Sequence, residues 1–496
     1  MCKWISLVIT CCVALAQSGS AQANSWIEVR SPHFLVVSNG TEDEGRTSAL
    51  QLERMRAVFQ KLFPNTNLDT AVPPLVVAIA DRATMEKLAP AAYAGRTQSY
   101  LAGLFLTWPE RDYILVWLNA PGLHPYAPIY HEYAHFVLHR SGQWIPLWLD
   151  EGLAEYFKTT EIAGDEVRIG KADAQTISFL EQHQPISLAT LLTVDQHSPY
   201  YSEEDKTSIF YSESWALTHF LKTRDLRDGT NHIGDYLGYV QSGSDPVAAA
   251  TRVFGDLDQL KSELQNYINT QGYAYSRMAG RGEVDISHFR TRSITRQEAN
   301  LARADFLVHD GRASDGRVLL ESVLRDETGN GRALEIMGWL SLREHKFQEA
   351  RQFCERAIQA DDRSFLGHIC FALSSMQGTA PRTSPEQARI EQSLRTAIRV
   401  NASFAPAYAG LGEYLSFRAK YQEALSAARK AVQLEPGMVE FRNEEANILL
   451  RMNRVKEATD SLNFALKLAH APEEVAAVEA VLHSATQINY HKRRTD

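Results

Sequence analysis

Cysteine is scarce in this chain: its 496 residues hold five, at positions 2, 11, 12, 354 and 370. That is too few, and too clustered, for a disulfide framework. An excess of positive charge is also missing. Lys and Arg number 51 against 60 Asp and Glu, a formal net charge of −9, which leaves no basic footprint for duplex nucleic acid or an anionic membrane surface. Beyond the amino end no window approaches the roughly 18 uninterrupted apolar residues of a membrane span. Phosphate-binding glycine loops, nucleophilic-serine motifs and dinucleotide fingerprints are absent as well. With 44% hydrophobic and 22% charged residues the chain is neither disordered nor collagen-like. Its length suggests about two to four domains, since single cores stop growing at roughly 250–300 residues.

What is present begins with Met-Cys-Lys, an apolar run from Trp4 to Ala16, and the small-residue sequence Ala21-Gln22-Ala23. A positive start, a short apolar stretch and an A-x-A site read as a secretory signal peptide over residues 1–23, cleaved after Ala23. Thr10 stands before Cys11, where a lipid-anchor site needs a small residue. The expectation is therefore a soluble exported protein, periplasmic or secreted, with no stable membrane span once the leader is gone. Loss of Lys3 takes the charge from −9 to −10 and leaves Cys354 and Cys370. In an oxidising compartment these two could pair, but two small buried side chains on helices is the favoured reading.

The mature chain opens with strand-like runs at Ile27–Ser38 and Pro73–Ala80, a helical stretch from Ala49 to Leu62, a helix near 82–89, and two β-rich runs, Tyr100–Trp108 and Tyr113–Asn119. From Pro128 to about Tyr267 the signals are almost all helical. Residues 273–296 show no clear periodicity and read as a connector. After it, Ala357, Ala397, Ala431 and Ala465 recur at intervals of 40, 34 and 34 residues. The unit from Ala405, with Tyr408, Leu411-Gly412, Leu415, Ala424, Ala428, Ala431 and Pro436, resembles a tetratricopeptide repeat. Repeats are expected at 297–330, 331–364, 365–404, 405–438 and 439–472, with the extra six residues of the third in the Gln377–Pro385 loop. Residues 473–496 complete the chain as a capping helix and tail. Small residues let paired helices approach, so such units stack into a solenoid with a concave face.

Chemistry concentrates at His131-Glu-Tyr-Ala-His135. Residues four apart share a helix face, so His131 and His135 can offer two imidazoles to one metal, with Glu132 beside the water such a metal would hold. Downstream, Asp150-Glu-Gly-Leu-Ala-Glu155-Tyr-Phe reads as a second helix. Together these motifs resemble the gluzincin zinc metallopeptidases. The resemblance implies Glu151 as third ligand of Zn2+, with the fourth position left for water, and Glu155 as the acidic partner of a zinc-bound imidazole. It implies Glu132 as general base, and a downstream Tyr or His to hold the developing oxyanion. Tyr211 is the candidate, its alternative being a core tyrosine paired with Trp215; His219 is the second choice. His139 continues the same face and reads as a solvated or core histidine. Gly152, about 1 kcal/mol unfavourable inside a helix, suggests a close helix–helix approach. Substrate would add along an edge strand, for which Tyr113–Asn119 is the candidate, unless that run is interior.

The sequence thus implies an α+β, zincin-like metallopeptidase domain over residues 24–272, followed by an all-α TPR solenoid over 297–472. The expected function is hydrolysis of peptide bonds by a metal-activated water, with the repeats recruiting a protein substrate or partner through their concave face. The alternative is a TPR interaction scaffold whose zinc domain is structural or inactive; the presence of Glu132 speaks against it, because a structural site needs no general base.

Overall fold

The computed structural model describes residues 26–89, 103–120, 126–140, 142–163, 166–195, 197–202, 204–270, 272–279, 284–377, 384–469 and 472–495. The leader read at 1–23 lies outside them. The first strands and helices are β1 (Trp26–Arg30), β2 (Leu35–Ser38), α1 (Glu42–Leu62), β3 (Leu75–Ile79), α2 (Arg82–Leu88), β4 (Gly103–Leu106) and β5 (Tyr113–Trp117). Two further helices, α3 (Ala127–Arg140) and α4 (Leu147–Lys158), precede a hairpin of β6 (Glu161–Ala163) and β7 (Glu166–Ile169). Then come α5 (Ala174–Gln182), α6 (Leu188–Leu192), α7 (Pro199–Ser202), α8 (Glu204–Asp228), α9 (His232–Gln241), α10 (Pro246–Phe254) and α11 (Leu257–Ile268). Strands β8 (Ser276–Ala279) and β9 (Arg290–Ile294) follow.

These strands build a six-stranded mixed sheet in the order β4-β5-β3-β2-β1-β9, and a small sheet β6-β7-β8. Neither β3 nor β5 alternates apolar with polar residues, and every residue of both is buried, as befits strands covered on two faces. On one face Val29, Val36, Val76 and Ile114 meet Leu52 and Phe59 of α1 and Ile129 and Tyr133 of α3. Tyr113–Asn119 is therefore not the edge: β5 sits between β3 and β4, and β4 is the terminal strand on that side among the described residues. The stretch 273–296 is not a bare connector either. Its β8 pairs with β7, and its β9 extends the main sheet beside β1. As exposed edge strands rich in Arg and Ser they carry no apolar period to read.

The helices after β9 come in antiparallel pairs: α12 (Arg296–His309) with α13 (Ala313–Asp326), α14 (Gly331–Arg343) with α15 (Phe347–Ala360), and α16 (Phe365–Met376) with α17 (Ser384–Val400). Next are α18 (Ala405–Phe417) with α19 (Tyr421–Leu434), α20 (Val439–Arg451) with α21 (Val455–Leu468), and a last helix α22 (Pro472–Thr495). The recurring alanines, Ala357, Ala397, Ala431 and Ala465, are completely buried where the helices touch. A left-handed residue closes the turn inside four of the pairs, at Gly311 (φ 88), His345 (φ 58), Ala419 (φ 57) and Asn453 (φ 59). The chain thus divides into an amino-terminal α/β region and a carboxy-terminal helical solenoid of the TPR kind. No helix among the described residues is long and apolar enough to cross a membrane.

The solenoid is not a separate bead. A capping box of Thr295 and Glu298 starts α12 directly after β9, and Ala299, Phe306 and Leu307 of α12 cover the second face of the sheet against Val37, Val77 and Leu115. Asp305 of α12, 3% exposed, accepts from the Tyr113 hydroxyl of β5 at 3.1 Å and pairs with Arg332 at 2.7 Å and Arg111 at 3.5 Å. Burial pushes the Asp305 carboxyl up, but Arg332, His309 and Arg111 outweigh it and hold the group at about 2.

Cys354 and Cys370 are joined as a disulfide between α15 and α16, with Cα atoms 6.0 Å apart. This corrects the reading favoured from the sequence, two unpaired buried side chains: the turn between the two helices brings the sulfurs together. Gly338 of α14 makes the room, because a Cβ there would collide with both sulfurs. The bridge closes a separation of 16 residues, for which chain entropy gives about 3 kcal/mol. Reduction should lower stability to urea by about 2–4 kcal/mol; coincident unfolding curves with and without reductant would contradict this.

Candidate metal centre

Helix α3 carries His131, His135 and His139 at intervals of four, hence on one face, and α4 packs across it. The turn between them contains Gly142, whose φ of +64 closes the short interval. His131 Nε2 and His135 Nε2 stand 3.2 Å apart, and Glu151 Oε2 lies 3.6 Å from the first and 3.4 Å from the second. Donors about 2.0–2.2 Å from a tetrahedral zinc stand about 3.3–3.6 Å from one another, so the triangle has the size the ion requires.

A carboxylate stands behind each opposite ring nitrogen. His135 Nδ1 is hydrogen-bonded to Asp150 Oδ1 at 3.1 Å, while His131 Nδ1 lies 3.1 Å from Glu155 Oε1 without hydrogen-bond alignment. Asp150, 1% exposed, reaches His139 Nε2 with its second oxygen at 2.8 Å. Carboxylates on both Nδ1 atoms assign the protons there, which leaves both Nε2 atoms as acceptors facing a third acceptor. Glu151 Oε2 is buried and without a hydrogen-bond partner among the described residues. As acceptors these three repel one another unless a cation lies between them, a second proton on His135 or a metal ion, and the size and donor set fit a divalent metal. The electrostatics agree. Burial pushes the Glu155 carboxyl up, yet His131 and Lys158 bring it to about 2; burial opposes charge on His135, yet Asp150 and Glu151 hold its pKa well above the usual imidazole range. A metal replaces such protons on binding.

Glu132 and Tyr211 reach the same cleft, together with His131, His135 and Glu151. Burial, then Glu151, Tyr201 and Glu132, push the Tyr211 hydroxyl far above its ordinary range, so it stays a protonated donor. Tyr211 is thus not in the core with Trp215; Trp215 packs instead on His219 and Tyr273, with ring centroids 5.1 Å and 6.0 Å away. His219 is not at the site. It is fully buried, its Nε2–H donating to Gly170 O at 2.7 Å and its Nδ1 accepting from the Tyr267 hydroxyl at 2.7 Å. Sequence reasoning missed Asp150 as the second anchoring carboxylate, although it adjoins Glu151, and missed Tyr201 beside Tyr211.

Gly152 marks a close approach, but to α8 rather than α3: a Cβ on it would collide with Thr218 Oγ1 and the Ser214 carbonyl. That contact holds α8, and with it Tyr211, against α4. Gly152→Ala should destabilise the fold by about 2–3 kcal/mol through overpacking against backbone, read as a lower urea midpoint at unchanged slope; an unchanged midpoint would contradict the packing.

The cleft itself, of ≈ 1000 Å³, is shared between the two regions, with Trp339, Phe404 and Glu435 of the solenoid on its wall. The turns after α17 and α19 and the end of α21 seat on the amino-terminal region. Asn401 Nδ2 donates to Ala71 O at 3.0 Å, Pro436 and Gly437 press on Gly142 and the His139 carbonyl, and Lys467 lies over the Trp144 ring at 5.1 Å.

Residues 126–237, which hold α3, α4 and Tyr211, match the model of a protein family of unknown function, DUF1570. The match covers well under half of the chain. No curated protein matches it. Among solved structures, the thermophilic TPR protein TTC0263 of Thermus thermophilus is 20% identical over 38% of this chain and 98% of its own, with a TM-score of 0.34. MamA of Desulfovibrio magneticus RS-1 is 15% identical over 35% and 94%, TM-score 0.29. YrrB, described as a TPR protein with an unusual peptide-binding site, is 14% identical over 37% and 91%, TM-score 0.28. At these scores the likenesses carry no argument about function.

Proposed function

We propose that the protein is an exported zinc-dependent peptidase, gluzincin-like in its α/β region, whose active cleft is walled on one side by its own solenoid. The observation that carries this is the convergence of His131 Nε2, His135 Nε2 and Glu151 Oε2, with a carboxylate 3.1 Å behind each imidazole. Zinc held there would supply Lewis acidity, polarising a carbonyl and lowering the pKa of a coordinated water towards ~7. Glu132 lines the cleft without a hydrogen bond or ion pair among the described residues, free to take the proton of the attacking water and pass it to the leaving amine. Tyr211 donates to the oxygen where charge develops. An extended peptide lies along β4, the edge strand, whose Phe105 lines the cleft and whose main chain can take a further strand. The leader motif supports export, and the Cys354–Cys370 disulfide is in keeping with an oxidising compartment.

The solenoid favours a second reading, a protein-interaction scaffold with a metal of structural role, since stacked helix pairs offer an extended concave surface for a partner. A mixed peptide library incubated with the zinc-loaded full chain separates the two. The peptidase reading expects new termini by mass spectrometry, lost with chelator and restored with zinc. Stoichiometric zinc without any cleavage would favour the scaffold.

A further inference from the structure

Beyond the metal ligands the cleft is lined by carboxylates and by Arg111, Arg140 and Arg343; Glu110 is paired with Arg343 at 3.0 Å, but two of the carboxylates have no such partner. Asp112, just ahead of β5, is 7% exposed and lines the cleft. Its carboxylate makes no hydrogen bond or ion pair among the described residues. Glu435, in the turn between α19 and α20, lines the same wall and is likewise without a side-chain partner. The nearby cations are engaged elsewhere. Arg140 donates to the carbonyls of Asn67 at 2.9 Å and Asp69 at 2.8 Å and lies over the Phe136 ring at 5.2 Å, while Arg111 pairs with Asp305.

Each carboxylate feels the imbalance. Burial pushes the Asp112 carboxyl up to about 7, with Arg140 opposing and Glu435 adding to the rise. Burial also raises Glu435, against Arg140 and with Glu440 adding. Glu440 and Glu474 also line the cleft. A buried carboxylate without a partner is costly, and the fold keeps Asp112 in that state, with the half-buried Glu435 on the same wall, in a cleft open to a ligand.

We propose that Asp112 and Glu435 form a subsite for a positively charged side chain of the substrate, lysine or arginine, in the cleft that holds the metal ligands. The proposal rests on the peptidase reading and names its substrate class. Arg140, whose charge acts on both carboxylates, follows His135 by five positions on α3, about 7–8 Å along the helix. An extended peptide advances about 3.3–3.6 Å per residue, so the cationic residue sits about two positions from the cleaved bond. Met438 and Val439 line the same wall and offer apolar surface to its aliphatic stem.

The test uses the zinc-loaded full chain carrying Glu132→Gln, which removes cleavage from the readout. Fluorescent peptides, N-acetylated so that no terminal amine competes, differ only in a single Lys, Ala or Glu, and binding is read by anisotropy. The Lys peptide is expected to bind at least about tenfold tighter than its Glu counterpart, as an unscreened buried pairing warrants. Adding Asp112→Asn and Glu435→Gln should bring that ratio below about threefold at unchanged zinc content. Both changes remove an unpaired charge from the cleft wall, that of Asp112 buried, so the variant should melt no lower than its parent; should it fail to fold, Glu435→Gln alone reports. Equal binding of all three peptides, or a preference that survives the substitutions, overturns the subsite. Wild-type cleavage without regard to charge would sink the subsite and leave the peptidase standing. Selective binding of Lys peptides that the wild type never cleaves would keep the subsite and sink the peptidase.

Discussion

Glu132→Gln is expected to bind zinc as the parent does and to lose peptide cleavage by about 10²–10⁴-fold, the range for removal of a positioned general acid–base group. Glu132 lies one residue from His131 but outside the triangle of acceptors, and the nitrogens and carboxylate that define the triangle are held by Glu155, Asp150 and the α3–α4 packing. The isosteric amide leaves that geometry alone. It removes only the capacity to take up a proton. The check is metal content beside initial rates on one peptide. Equal rates in the two proteins would remove Glu132 from the mechanism, and loss of zinc from the variant would show that it belongs to the ligand set instead.

Glu151→Ala should have the larger effect on the metal. Its Oε2 closes the triangle at 3.4 and 3.6 Å from the two imidazoles, and no other carboxylate oxygen among the described residues joins that cluster: Asp150 belongs to a separate group with His135 and His139. Replacing an anchoring carboxylate typically lowers affinity 10–100-fold, so loss of a ligand should exceed about 100-fold in competition with a chromogenic chelator. Asp150→Ala supplies the comparison, with a loss inside that smaller range. If Glu151→Ala held zinc as tightly as the parent, the third ligand would be wrong.

The pattern of alanines at 34-residue intervals and the His131–His135 spacing are local features, and local features are legible because a helix converts spacing directly into a shared face. Glu151 depends on two helices meeting, and only its resemblance to a known motif singled it out. Asp150 escaped for the same reason: beside a stronger candidate, nothing in its spacing says that it faces His135 and His139 at once. The interior position of β5 was available in principle, since Tyr113-Ile-Leu-Val-Trp has no alternation. By contrast β9 was not, because an exposed edge made of Arg-Thr-Arg-Ser-Ile has no period to show. Least legible was the seating of the solenoid on the α/β region. It depends on Gly437 against His139 and Val72 against Trp339, contacts between residues hundreds of positions apart that no repeat pattern encodes.

The central claim is that two imidazoles and one carboxylate of this chain hold a catalytic metal. X-ray absorption at the zinc edge of the purified full chain tests it most directly. The account predicts one zinc per chain in a nitrogen- and oxygen-only shell at about 2.0–2.1 Å, four-coordinate with one position not supplied by protein, and a changed shell in Glu151→Ala. A protein that takes up no stoichiometric zinc, or a spectrum that Glu151→Ala leaves unaltered, would contradict it.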